Sequence, residues 1–448
     1  MRTPITLSTL AALALGGCTF GKFDDYEAKA PAVKISQVGN IKSNTFGGNM
    51  LGIPSAGGSE GGILLAAGSA PVALDTVGFN PSGKYNQSQT EAKDLKEDLG
   101  EPERFNGIAA APSDKAIGAF PGPFAYVATT SGLVGKVYLI DVNRYAGPNA
   151  YGTPSNDLKN FGASVTPANL GGSSVPDDLV VGAQGKVVLW RADIWPNLEA
   201  DAKALVVEGS GRWPANGNFD LVAAGQFDAG TPEDEVVVSV PANNYVAIIH
   251  KVAECLAAVP QPCKSILELP IPDRANGFGK SLLVGDVDAD GKLDLVVGAP
   301  ETDGRGAIYV YKLNGDHFKD GATPPAPQVI GAPQGAVGFG GALAFGKFEG
   351  GDQRVLAVSA PSSDVEGTLK AGRVYLYRLY QAGNDKPVSE AGVTLVRPPE
   401  RGLLGLRLAT LPFRVGAVSH EVLVAASSEA IYAFFASTTD KHKDVRAR

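Results

Sequence analysis

Residues 276–315 read NGFGKSLLVGDVDADGKLDLVVGAPETDGRGAIYVYKLNG. Three apolar runs stand in this stretch, at 281–284, 293–299 and 307–313. Each has the length and composition of a strand, and each is bounded by Gly, Pro or Asp. Between the first two lies DVDADGKLD, four aspartates at near-alternate positions with one glycine. The third run, IYVYKL, alternates enough for a half-buried strand. The spacing predicts an up-down-up meander with an acidic loop at its first turn.

Outward from this stretch the same layout returns. A Phe or Leu beside Gly or Asn opens short strands at Phe46, Phe105, Phe161, Phe219, Phe278, Phe339 and Leu404, at intervals of 59, 56, 58, 59, 61 and 65 residues. A Gly-Ala-Pro-like strand end follows in LLAAGSAP (64–71), LVVGAQ (179–184), VVVSVP (236–241), LVVGAP (295–300), LAVSAP (356–361) and LVAASS (423–428). Then comes an aromatic-bearing strand: KVYLIDV (136–142), KVVLWRA (186–192), YVAIIHK (245–251), AIYVYKL (307–313), RVYLYRL (373–379) and AIYAFFA (430–436). A repeat of this length without helical periodicity means a solenoid or a propeller. It is too long for one strand-turn rung and suits a four-stranded blade.

Phe278-Gly279, Phe339-Gly340 and the triplet Gly298-Ala299-Pro300 resemble the FG-GAP repeat of integrin α-subunit heads. The resemblance covers nearly the whole chain after its leader. It is strongest in 276–380 and faded in 87–135, where QSQTEAKDLKEDLGEPE interrupts the pattern. It implies an all-β, seven-bladed β-propeller, in agreement with the seven openings. The acidic loop stands where that family has its calcium loop.

That loop holds most of the candidate chemistry. In Asp286-Val-Asp288-Ala-Asp290-Gly291-Lys292-Leu-Asp294, carboxylates at positions 1, 3, 5 and 9 and the Lys292 carbonyl at 7 could surround a hard cation. Calcium takes six to eight oxygens in loose geometry, and Gly291 permits the sharp bend. Position 12 is Val297, not the glutamate of an EF-hand, and the flanks are strands. The expectation is a β-hairpin Ca2+ loop with a structural role. In blade four the loop is acidic (Asp228, Glu233, Asp234, Glu235) but has Gln226 at the first position and is off register, and whether Asp228 and Asp234 hold metal stays open. Blade six has Lys347 at the first position and is expected to bind nothing.

At the start, MRTPITLSTLAALALGGC is a secretory signal (1–17), too short in its apolar run to span a membrane. Leu15-Gly16-Gly17-Cys18 resembles a lipobox, which would make Cys18 the lipidated first residue. Residues 18–31 would then be a short tether to a membrane, with Thr19 favouring the outer membrane of a bacterial cell envelope. The other two cysteines, Cys255 and Cys263, suggest a hairpin disulfide in an exported protein; no nearby histidine supports metal there.

The remaining stretch, 32–437, is expected to be the propeller, and 438–448 a charged tail. No fourth strand follows 430–436, whereas 32–38 reads as a strand without a blade. Residues 32–38 should therefore close the ring as the outer strand of blade seven. The net charge is −8, with no basic stripe, so nucleic acid is excluded as a partner. His250, His317, His420 and His442 are scattered, and no G-x-S-x-G, H-E-x-x-H or phosphate-loop pattern occurs. Trp190, Trp195 and Trp213 favour blade packing over sugar stacking. The expectation is a monomeric, membrane-anchored, non-enzymatic binding or adhesion module for protein or glycan. The alternative is a hydrolase or lyase, marked by carboxylates or histidines at the channel mouth.

Overall fold

The computed structural model describes 28 strands between Ala32 and Phe434, with most of the turns from 158 onward. Residues 1–31, 435–448 and parts of several loops, including 80–90, 111–123, 191–203 and 378–390, lie outside the described residues.

Seven four-stranded antiparallel sheets carry all of these strands. The chain enters with β1 (Ala32–Ile35). Blade one is β2 (Asn49–Pro54), β3 (Gly62–Ser69), β4 (Val72–Phe79) and β5 (Glu91–Lys93). Blade two is β6 (Arg104–Ala110), β7 (Phe124–Ser131), β8 (Val134–Asp141) and β9 (Ala146–Gly152). Blade three is β10 (Ser164–Ala168), β11 (Asp178–Gly182), β12 (Val187–Trp190) and β13 (Ala204–Val207). Blade four is β14 (Leu221–Gly225), β15 (Glu235–Val240), β16 (Tyr245–Ile249) and β17 (Ile266–Glu268). Blade five is β18 (Ser281–Gly285), β19 (Asp294–Ala299), β20 (Ala307–Lys312) and β21 (Gln328–Gly331). Blade six is β22 (Leu343–Gly346), β23 (Val355–Ala360), β24 (Arg373–Tyr377) and β25 (Ala391–Leu395). Blade seven is β26 (Arg407–Val415), β27 (Val418–Ala426), β28 (Ile431–Phe434) and the returning β1.

The first strands of neighbouring blades touch in cyclic order, β2 on β6, β6 on β10, and so on to β22 on β26 and β26 on β2. Seven buried apolar clusters fill the spaces between successive blades, the last of them joining blade seven to blade one through Leu64, Leu411 and Val424. This is a seven-bladed β-propeller. The ring explains the continuous apolar runs such as LVVGA. A second strand lies between two other blades, so both of its faces are covered, and β11, β15, β19 and β23 are buried at every residue.

The repeat motif has a mechanical reason at the blade joints. Phe161, Phe219, Phe278 and Phe339 are completely buried. Their rings meet Trp190, Trp213, Tyr309 and Tyr375 at centroid distances of 5.3, 4.7, 5.5 and 5.8 Å. The glycine after the ring turns the chain into the first strand at φ 90° (Gly279) and 91° (Gly340), a conformation that disfavours any side chain. Its N–H then reaches the second strand of its own blade, as in Gly279 N to the Gly298 carbonyl at 3.0 Å. Its carbonyl is gripped by the preceding blade: Ser281 Oγ donates to the Gly340 carbonyl at 2.7 Å and Ser239 Oγ to that of Gly279 at 2.8 Å. The Gly340 carbonyl passes so close to Gly298 that a Cβ there would lie 2.1 Å from it. The ring residue and the Gly-Ala-Pro glycine are thus two halves of one joint between blades.

Some expectations need correction. The insert 87–103 was expected to interrupt the pattern, yet Glu91–Lys93 pairs with Leu74–Thr76 and completes blade one. Its composition is poor for a strand; what it needs is only one antiparallel edge. The expected Cys255–Cys263 disulfide does form within the connection between the antiparallel partners β16 and β17, with Cys255 carried on a short helix, α1 (Val252–Ala257). The closing strand forms at Ala32–Ile35, with Ala32 opposite Phe434 and Ile35 opposite Ile431. Residues 36–38 lie outside the described residues. Trp190 and Trp213 are buried packing residues, and Trp195 lies outside the described residues.

Candidate metal centre

Because neighbouring strands alternate in direction, the turns after the first and third strands emerge on one face of the ring. The turns after the second and fourth emerge on the other. The acidic loop joins β18 to β19 and so belongs to the first face. Gly285 pairs with Asp294 at its base, which fixes an eight-residue excursion, 286–293, above the ladder.

Within that excursion Asp286, Asp288 and Asp294 bring one carboxylate oxygen each within 4.8 Å of one another. Asp288 and Asp294 are 5% and 2% exposed. The bend is made by Ala289 at φ 60° and Gly291 at φ 83°. It turns backbone N–H groups inward: Asp290 N donates to Asp286 Oδ1 at 3.0 Å and Asp288 Oδ1 at 3.1 Å, and Gly291 N to Asp286 Oδ2 at 3.0 Å. Asp290 is not in the group of three; its Oδ1 accepts from Lys292 N at 2.9 Å. Lys312, opposite Asp294 in the ladder, forms an ion pair with Asp288 Oδ2. Burial, and then the neighbouring charge of Asp288, push the Asp294 carboxyl up to about 7.

Asp294 has a second task. Its Oδ2 accepts from Val287 N at 3.1 Å, clamping the loop from below. The same clamp recurs where the second strands of blades three and four begin. Asp178 Oδ2 accepts from Leu170 N at 2.5 Å, and Glu235 Oε2 from Phe227 N at 2.7 Å. All three carboxylates are at most 3% exposed. The sequence carried this signal as an acid immediately before each apolar run (DDLVV, EDEVV, KLDLVV), and the metal reading of one loop concealed it.

The blade-four acids do not converge. Asp234 reaches blade three, where its Oδ2 accepts from Asn169 N at 2.8 Å. Glu235 clamps its own hairpin, and Asp228 Oδ1 accepts from Gly230 N at 2.9 Å. In blade six the Lys347 N–H is held by Glu421 of blade seven at 2.5 Å. Among the described residues, the one grouping of three acids able to hold a metal is that of blade five. His250 is buried with its ring 5.3 Å from that of Phe318, and His317 Nδ1 accepts from Asn314 N at 3.2 Å. Cys18 and His442 lie outside the described residues.

A ring of four-stranded blades, with buried phenylalanines packed at the blade joints and an acidic first turn in blade five, fits the FG-GAP resemblance seen in the sequence. The FG-GAP repeat family model matches residues 278–311, the joint and acidic loop of blade five. Integrin alpha-PS5 of Drosophila melanogaster is 38% identical over 122 residues, 26% of this chain and 11% of that protein. Integrin alpha-5 of Xenopus laevis is 29% identical over 184 residues, 38% of this chain and 16% of that protein. The chain is thus similar to FG-GAP-repeat and integrin α proteins, and it spans a small part of the length of the curated relatives it matches.

Proposed function

We propose that this chain is a calcium-stabilised propeller, tethered to a membrane through Cys18, that presents its loops to a protein or glycan partner and carries out no catalysis. The observation that carries the reading is the blade-five loop. It offers carboxylate oxygens alone, partly buried and convergent, which is the donor chemistry calcium prefers. Asp286, Asp288 and Asp294 would hold the ion. Once bound, it would cross-link the turn to the head of β19 and neutralise charges that otherwise sit buried together.

A scaffold role fits the rest of the ring. The seven innermost strands (NMLGIP, RFNGIAA, SVTPA, LVAAG, SLLVG, LAFG, RLATLPFRV) contain neither a carboxylate nor a histidine. The channel wall built by these strands thus supplies no carboxylate or histidine; the alternative, a hydrolase or lyase, would need its acid–base pair in the loops at the channel mouth. No helix among the described residues is long and apolar enough to cross a membrane; in this reading the lipobox cysteine, Cys18, supplies the attachment.

Calcium should raise the melting temperature of the full-length protein, and Asp288→Ala should abolish most of that rise. The wild type should fractionate with membranes, and Cys18→Ser should leave them. A melting curve indifferent to calcium and chelator would remove the metal. A soluble wild type without acyl mass would remove the anchor.

A further inference from the structure

We infer that Lys312 is the built-in counter-cation of the blade-five loop, and that a divalent ion enters this site by displacing the Lys312 ammonium. This rests on the calcium reading above and concerns what sets the affinity of that site.

Three observations carry it. First, Lys312 is fixed in place by the ladder: it is the last residue of β20 and pairs directly with Asp294. From that position its side chain reaches the acidic group at Asp288. Second, its ammonium contacts the buried Asp288 oxygen Oδ2, while the other oxygen of Asp288 is taken by Asp290 N. An ammonium is a compact point charge with no acceptor, so it can stand where a cation stands but cannot share that position with one. Third, the lysine side chain is 58% exposed whereas the Asp288 side chain is 7% exposed. The lysine can therefore swing into solvent at little cost, while the carboxylate cannot follow it.

Within the loop the repulsion among the acids is therefore partly offset. Backbone N–H groups and one ammonium already contact Asp286 and Asp288. The same contact works against the metal. Binding must break an ion pair to a buried carboxylate and leave a positive charge close to the incoming one. Lys312 therefore stabilises the empty loop and weakens the filled one. A residue serving only to pack the strand would do neither in this opposed way.

The test uses the full-length protein at one fixed pH, with calcium chloride as titrant in a calorimeter and melting curves in chelator. Lys312→Met and Lys312→Gln should bind calcium on the order of fivefold more tightly than wild type, the size expected for a half-exposed ion pair. Both should melt lower than wild type in chelator and show a larger rise on adding calcium. Lys312→Arg, which keeps the charge, should return towards wild-type values. If wild type binds calcium and the Met and Gln variants bind equally or more weakly, the displacement is overturned while the calcium reading stands. If neither wild type nor variants bind, both fall together.

Discussion

Glu235 is 1% exposed at the head of β15, with Oε2 held by the N–H groups of Phe227 and Asp228 at 2.7 and 3.1 Å. Burial outweighs those two bonds and pushes its carboxyl up to about 7. A carboxyl whose folded pKa is raised binds its proton more tightly in the native state. Its contribution is therefore most favourable below the unfolded value and is lost as pH rises towards about 7. Glu235→Gln keeps an acceptor for Phe227 N and removes the titration. Its melting temperature should match wild type at the acid end of that window and exceed it above the upper end. Parallel curves for the two proteins across the window would refute the assignment. At this scale the sequence showed which residues were acids and which loop collected them. It did not show that Asp178, Glu235 and Asp294 share one clamp, because a hydrogen bond to a backbone N–H leaves no mark in residue type. Nor could spacing reveal that Asp234 would serve blade three or that Lys312 would face Asp288; both contacts depend on how strands line up side by side.

Each blade joint depends on a close backbone approach rather than on a favourable side chain. Gly298 illustrates this: a methyl group there would lie 2.1 Å from the Gly340 carbonyl and 2.2 Å from Ser281 Oγ. Gly298→Ala should push blade six off blade five and break the Ser281–Gly340 bond, at a cost of several kcal/mol, about that of an overpacked core site with a lost buried hydrogen bond. Gly304→Ala is the useful control for a lost glycine at positive φ. Its Cβ meets nothing within 4 Å, so only the backbone term, about 1 kcal/mol, should appear. Denaturant melts that lose equal stability in the two variants would contradict the joint. The elements themselves were legible where burial imposed a pattern. The doubly covered strands β11, β15, β19 and β23 announce themselves as unbroken apolar runs. β5 and the helix α1 do not: three residues, EAK, suffice for an edge strand, and VAECLA is too short to show a period.

For the molecule as a whole, closure rests on β1 pairing with β28 in a register that sets Lys34 opposite Tyr432. Removing 32–38 should leave the outer edge of β28 bare and lower the stability of the ring. Removing 19–31 should leave the melting curve unchanged. Cysteines at Lys34 and Tyr432 should cross-link on oxidation, and a pair offset by one residue should not. A 32–38 deletion that melts as wild type would remove the closure from the stability of the fold. This seam was readable in the sequence because a propeller repeat counts its own strands. One orphan at the beginning and one vacancy at the end leave a single solution.

That seam also sets an order in time. Among the described strands β1 is synthesised first and its partner β28 last, so the two meet only after every intervening blade has been made. A chain broken off anywhere before Ile431 keeps its earlier sheets but has nothing for Ala32–Ile35 to pair with. The strand that precedes blade one thus depends on the last strand of blade seven. A finished ring therefore requires all seven blades to have been made, and an open one leaves Ala32–Ile35 as a loose strand for quality-control proteases.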